Sequence, residues 1–208
     1  MKLTTTTFLS LDGVMQGVGA PDEDRSNGFE HGGWGTPYFD DETEGLIGQI
    51  YRRADAFLLG RQTYDIFARS WGAMPDPGGN PIWEALTTRN KYVASTTLTD
   101  PQWANTTVVS GEAVAIGELK AQPGGELQVR GSGKLMRFLL DNDLVDEMTL
   151  LVFPVVVGQG TRLFPNRGPD RALELRGTRA TPSGVTVQVY RPAGRPQYAG
   201  VSTEVLGR

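Results

Sequence analysis

The residues best placed to do chemistry are small ones at chain reversals. Val129-Arg130-Gly131-Ser132-Gly133-Lys134 reads as a strand that ends, a tight turn and a helix that begins. The first backbone N–H groups of a helix lack intrahelical partners and form an anion site. Glycines there let a phosphate approach the backbone closely. A plain strand–helix turn would use the same residues without any ligand. Two named phosphate loops do not match. A Walker A loop needs Gly where Gln128 stands and Ser or Thr where Leu135 stands, and a G-x-G-x-x-G fingerprint needs Gly where Met136 stands.

Leu58-Leu59-Gly60-Arg61-Gln62-Thr63 repeats the logic. A cation such as Arg61 at a helix start opposes the macrodipole. It is better tolerated if an anion sits between it and the helix; the alternative is an exposed arginine carrying a small cost. Ser95 and Thr96 follow a short strand and would lie in the crevice where α/β sheets bind ligands, or serve as ordinary turn residues. Two phosphate-type turns in one domain fit a pyrophosphate-bearing dinucleotide better than either fits alone.

Composition removes other chemistry. The 208 residues contain no cysteine and one histidine, His31. Thiolate nucleophiles, Cys-based zinc and multi-histidine metal sites are excluded, and no metal site is expected. The formal charge of −4 gives no footprint for nucleic acid or an anionic membrane. Asp22 to Gly28 hints at a calcium loop, but its glycine is displaced by one and Gly33 stands where the bidentate Glu belongs. The opening residues lack a signal-peptide pattern and no apolar run is long enough for a membrane span. A cytoplasmic protein is expected.

The elements that must position these residues alternate along the chain. Thr4–Leu11 reads as a strand and Gln16–Pro37 as a long glycine-rich loop with aromatic anchors. Asp40–Arg53 reads as an amphipathic helix, acidic at its start and basic at its end. A strand at Ala56–Leu59, a helix at Thr63–Arg69, a loop at Met74–Pro81 and strands at Lys91–Ser95 and Thr106–Val109 follow. Then come a helix at Glu112–Lys120, a strand at Leu127–Arg130 and a helix through Leu140. Met148–Val157 reads as a buried central strand, and Leu173–Ala180 with Val185–Tyr190 as a closing antiparallel pair. This is an α/β fold in one domain, residues 1–191, with a C-terminal tail over 192–208.

Four stretches in this order carry a resemblance. They are Ser10-Leu11-Asp12-Gly13, Gly60-Arg61-Gln62-Thr63, Arg130-Gly131-Ser132-Gly133 and Pro154-Val155-Val156-Val157-Gly158-Gln159-Gly160. Together they resemble the dihydrofolate-reductase-like family, and more narrowly the reductase domain of the bifunctional riboflavin-biosynthesis deaminase/reductase and its stand-alone relatives. The resemblance implies a mixed, mainly parallel sheet of about eight strands with an antiparallel C-terminal edge and helices on both faces. It also implies an NADPH cleft, hydride transfer to a small-molecule substrate and a homodimer. The formal assignment is 5-amino-6-(5-phosphoribosylamino)uracil reductase, although Thr6 stands where that enzyme usually carries a lysine. By motif match, Gly60, Arg61 and Thr63 would hold cofactor phosphates and Ser95 would lie by the adenosine ribose. Gly131, Ser132, Gly133 and Lys134 would receive the pyrophosphate. Ser10 and Leu11 would lie against the nicotinamide, and the Gln16–Pro37 loop would act as a mobile lid. The proton donor would be a carboxylate at the start of the first helix, Asp40 or Asp41, which helix capping alone would also explain. Asp12, His31, Trp34 and Tyr38 are candidates for the substrate side of the cleft. A nucleotide-binding sensor or scaffold without turnover is the alternative.

Overall fold

The computed structural model describes residues 1–199. Eight strands form one sheet: β1 (Lys2–Ser10), β2 (Ala54–Gly60), β3 (Asn90–Ala94), β4 (Thr106–Val109), β5 (Glu126–Val129), β6 (Glu147–Phe153), β7 (Leu173–Ala180) and β8 (Thr186–Pro192). Their order is β4-β3-β2-β5-β1-β6-β8-β7. Every pairing from β4 across to β6 is parallel, and β8 pairs antiparallel with both β6 and β7. The expected mixed sheet with its antiparallel edge is therefore the fold observed.

Five helices connect the strands, as parallel neighbours usually require, although β3 passes to its parallel neighbour β4 through a loop without a helix. They are α1 (Asp41–Arg52), α2 (Arg61–Ser70), α3 (Pro81–Thr88), α4 (Ala113–Ala121) and α5 (Gly133–Asp141). Each sheet face buries its own apolar cluster. One joins Leu46, Ile47 and Ile50 of α1 to Phe57, Leu59, Leu151 and Phe153 of the strands. The other joins Ile116 and Leu119 of α4, with Leu135, Met136 and Leu139 of α5, to Leu58, Leu127 and Leu150. Strands covered on both sides read as apolar runs for this reason.

Three expectations are corrected. The stretch after Met74–Pro81 contains a helix, α3, that the sequence reading passes over. Asn80 caps it, accepting from the N–H groups of Ile82 and Trp83, and Pro81 occupies its first turn. At its other end Lys91 Nζ donates to the Leu86 carbonyl at 2.7 Å. Second, the strand expected over Met148–Val157 stops at Phe153, because Pro154 has no N–H to continue a ladder. The chain then turns to meet β1, and Leu11 N donates to Val155 O at 2.7 Å. Third, the tail expected to begin at 192 continues the sheet for a few residues: Ala193 N donates to Ala172 O and Arg195 pairs with Asp170. The rest of that tail, 200–208, lies outside the described residues. Among the described residues no helix is long and apolar enough to cross a membrane.

A close contact joins the end of β2 to the turn after β5. Gly60 N donates to Gly131 O at 2.9 Å. A Cβ placed on Gly60 would lie 2.6 Å from Ser132 Oγ and 2.9 Å from Ser132 N. A Cβ on Gly131, whose φ is +137°, would lie 2.7 Å from Thr63 Oγ1. No ordinary contact is that short, so both positions require glycine before any ligand is considered. Gly60→Ala is expected to wedge the two turns apart and destabilise the protein by about 1–3 kcal/mol, the usual range for overpacking. Gly111→Ala, whose Cβ would meet only Ala94 Cβ at 3.9 Å, serves as the control in thermal unfolding. Equal melting temperatures for the two variants would contradict this reading of the contact.

Candidate functional site

The two turns sit beside a split in the sheet. Pairing of β1 with β5 runs from Lys2↔Glu126 to Thr5↔Val129 and ends there. Pairing of β1 with β6 continues to Ser10↔Phe153. From Thr6 to Leu9, β1 therefore has β6 on one side and no strand partner on the β5 side. Such an edge offers backbone donors and acceptors to a flat ligand.

The helix starts flank this edge. At α2 the capping position is Gly60, so no side chain satisfies the first N–H groups. At α5 Ser132 is the cap and reaches the Leu135 N–H at 3.5 Å, at the long limit of a hydrogen bond. Exposed Lys134 stands in the first turn of α5. Arg61 heads α2, but its Nε bonds both carboxylate oxygens of Asp65, at 3.0 and 2.8 Å. Ser95 follows Ala94, which pairs with Gly60 across β2 and β3. Its hydroxyl accepts from the N–H groups of Thr97 and Leu98, closing a local turn. The structure thus brings Gly60, Arg61, Thr63, Ser95, Gly131, Ser132, Gly133 and Lys134 to one end of the sheet.

The first motif makes several contacts within the protein. Ser10 is buried; its hydroxyl donates to Asp12 at 2.7 Å and accepts from Val14 N at 2.9 Å. Leu11 is exposed. Asp12 is engaged by the backbone after β6 and by Arg162. It accepts from Val157 N at 3.0 Å and Gly158 N at 2.9 Å, and Arg162 binds both its carboxylate and its carbonyl. The Ser10 hydroxyl first, then the two N–H groups and Arg162, hold its carboxyl well below the usual carboxylate range against the cost of burial. Asp12 is the clamp between the β1 turn and the segment after β6.

The Gln16–Pro37 loop, the expected lid, is tied to the core on its inner side. Phe29 and Trp34 belong to the core. Phe29 is pressed between Gly17 and Gly160, where an added Cβ on either would lie 2.7 Å from its ring. Trp34 Nε1 donates to Gln16 O at 2.7 Å, and the Gln16 side chain joins Ser26 on one side to Thr161 on the other. Gly17 and Gly160 thus leave the room that the Phe29 ring occupies. Trp34 and Tyr38 meet Phe153 edge-on, with centroids 5.5 and 6.1 Å away, as do Phe8 and Phe39. Phe153, the hub of that cluster, is missed by sequence reasoning because an aromatic in an apolar run carries no mark of its partners. His31 is exposed, with Nδ1 3.1 Å from Val157 O.

Of the carboxylates at the start of α1, Asp40 is the helix cap. Asp40 accepts from Thr43 N at 2.8 Å and, with its other oxygen, from Ser183 N at 2.9 Å. The Thr43 side chain and N–H, then Ser183, hold its pKa down to about 2. A carboxylate so poised holds no proton to donate near neutrality. Asp41 is an exposed first-turn residue. A cavity of about 520 Å³ lined by Met1, Lys2, Lys120, Asp146 and Arg191 lies at the opposite end of β1 from Ser10. It is therefore remote from this chemistry.

The comparisons with known proteins agree with this architecture. Residues 1–187 match the model of the RibD C-terminal domain. Two Bacillus subtilis (strain 168) proteins named as uncharacterized are similar. YyaP is 28% identical over 137 residues, covering 65% of this chain and 73% of its own. YwjB is 25% identical over 154 residues, covering 74% and 83%. A putative riboflavin biosynthesis protein from Shewanella sp. PV-4 superposes with a TM-score of 0.67 at 22% identity, over 93% of this chain and 99% of that one. A dihydrofolate reductase from Enterococcus faecalis, complexed with NADP(H), gives 0.59 at 15% identity, over 92% and 96%. These two share the fold.

Asp12→Asn removes the charge from four hydrogen bonds. It is expected to cost about 1–3 kcal/mol at pH 7. Because the folded carboxyl sits below its ordinary value of 3.8, its stabilising effect is complete above that value and fades as pH falls below it. Denaturant unfolding of both proteins should show the wild-type advantage shrinking below about pH 4. An advantage that is absent at neutrality, or constant down to pH 2, would contradict the clamp.

Proposed function

The chain belongs to the RibD C-terminal domain family, and from that premise we propose that it is an NADPH-dependent reductase that transfers hydride to a small substrate. One observation carries the reading. Two helix starts, that of α2 without a side-chain cap and that of α5 capped by Ser132, begin from turns in contact with each other, on the same side of the sheet as the β1 edge that has no strand partner from Thr6 to Leu9. The donor set fits a dinucleotide: N–H groups and Lys134 at α5 for the pyrophosphate, N–H groups and Arg61 at α2 for a further phosphate, and the split for a flat ring. When bound, the nicotinamide supplies the hydride. The chain's own residues bind the phosphates and hold the ring against the β1 edge. The aromatic cluster on Phe153 excludes water from one side. With Asp40 committed to capping, the proton is assigned to solvent rather than to α1. The substrate class is that of the riboflavin-pathway reductase and its stand-alone relatives.

That capping also favours a second reading, a nucleotide-binding protein without turnover. NADPH consumption in the presence of candidate carbonyl, pterin and pyrimidine compounds separates the two. A homodimer in the cytoplasm goes with the enzyme reading; exposed Leu11 and Val156 lie on neighbouring segments and offer an apolar face. Sedimentation as a monomer at micromolar concentration would contradict the dimer.

Nicotinamide fluorescence should report saturable NADPH binding. Arg61→Ala should weaken NADPH roughly tenfold, the loss of about 1.4 kcal/mol, and NADH less. Asp65→Asn, which frees Arg61 from its ion pair, should tighten NADPH a few-fold. No saturation at millimolar NADPH, or equal losses for both cofactors in the alanine variant, would overturn the assignment.

A further inference from the structure

Lys91 on β3 is fully buried, yet its side chain ends in an ammonium. Nζ donates to the carbonyls of Leu86 and Arg89, at 2.7 and 3.1 Å, where α3 ends. It also lies 4.5 Å from the centre of the Trp103 ring, in the segment between β3 and β4. Among the described residues no carboxylate pairs with it, and burial alone pushes its pKa down to about 8. Taking an ammonium out of water without a counter-ion is costly, and a leucine or methionine in the same place would avoid that cost. The ammonium makes a link that an alkyl chain cannot: it ties helix-end carbonyls and an aromatic face to one point.

Trp103 carries that link to α2. Its backbone N–H donates to the Tyr64 hydroxyl at 3.2 Å, and the two rings lie 6.4 Å apart. Tyr64 is buried and stands one turn into α2. Gly72, just past the other end of that helix, comes so near the indole that a Cβ there would lie 3.2 Å from Cδ1. Trp103 therefore touches α2 near its start and just past its end. Ser95 to Leu98 leaves β3 as a turn closed by the Ser95 hydroxyl, and Leu98 packs on the same apolar cluster as Trp103. The ends of β2 and β3 are paired at Gly60↔Ala94, so α2 and this turn leave the sheet side by side. The crevice beyond the C-terminal ends of such strands is where α/β sheets bind ligands.

We propose that Lys91 is a positioning residue for the adenosine half of the cofactor: it seats Trp103 against Tyr64 and so sets the gap between α2 and the Ser95–Leu98 turn that this half enters. This role rests on the reductase reading and adds to it the support for one end of the ligand. Lys91 itself touches no ligand, because protein covers it on every side. Its effect passes through Trp103. Groups that bind a ligand keep their geometry only when the residues behind them are fixed. The β1 edge and the Phe153 cluster, at the other end of the groove, are separated from β3 by β2 and β5. Loss of the Lys91 link is therefore felt at the adenosine end.

The test compares NADPH with 2′,5′-ADP, its adenosine half, by calorimetry on the full chain. Lys91→Met keeps a long apolar side chain and removes the ammonium. It should weaken both ligands by the same factor, about fivefold, and leave the emission of bound nicotinamide at saturation as in wild type. A general loosening of the fold would instead cost NADPH, which touches both ends of the groove, more than it costs 2′,5′-ADP. Tyr64→Phe removes only the hydroxyl that accepts from Trp103. It should weaken both ligands about threefold, and it decides the matter if Lys91→Met does not fold. An unchanged affinity for 2′,5′-ADP in the folded variants, a clearly larger loss for NADPH than for 2′,5′-ADP, or a wild-type protein that binds NADPH but not 2′,5′-ADP overturns the role of Lys91. If the wild-type protein does not bind NADPH, the reductase reading fails instead, so the two failures are distinct.

Discussion

The architecture of the site depends on how closely two chain reversals approach each other. The ends of β2 and β5 are joined by the Gly60–Gly131 hydrogen bond, and Ser132 occupies the volume that a Gly60 side chain would need. Because α2 and α5 start from these reversals, the contact sets their N-termini side by side. A phosphate-bearing ligand placed there would meet two positive helix ends at once. The same contact closes β5 against β2, and the split in the sheet therefore opens on the β1 side. The helix ends and the split both border this one arrangement of small residues.

A second constraint holds the opposite wall. Asp12 ties the β1 turn to the backbone after β6, while Gln16 and Trp34 tie the long loop to the same segment. Phe29 fills the space between Gly17 and Gly160. The loop is thus part of the core on its inner side, while the stretch from Pro21 to Gly28, with Glu30, His31, Thr36 and Pro37, faces outward. A wall built this way is preformed, and a preformed wall suits a reaction that depends on ring alignment more than on a travelling lid.

Much of the fold is legible in the sequence because β2 and β6 are largely apolar runs, β1 and β4 are rich in β-branched residues, and helices such as α1 and α5 carry periodic apolar faces. The order of strand-to-helix turns is enough to find Gly60 and Gly131. What the glycines are for is not legible: sequence shows that a position needs no side chain, but not whether ligand or protein occupies the space. Asp40 and Asp12 fail for a related reason. A carboxylate in a turn reads the same whether it donates a proton, caps a helix or bonds to a segment some 145 residues away, and only the tertiary partners decide. The helix α3 was marked by Asn80-Pro81, a cap followed by a residue suited to the first turn, yet it lay beside a proline- and glycine-rich loop that masked it. Lys91 stands at the start of a short strand like any surface cation, and only the fold shows it buried against Trp103.

The central claim is that a dinucleotide lies across the two reversals with its ring in the split. A crystal structure of the protein soaked with NADPH tests this most directly. The account places the pyrophosphate at the N–H groups of Gly133 and Lys134, a further phosphate at Arg61, and the nicotinamide along the unpaired edge from Thr6 to Leu9. NADPH bound elsewhere, or bound with its ring turned out of the split, would contradict it.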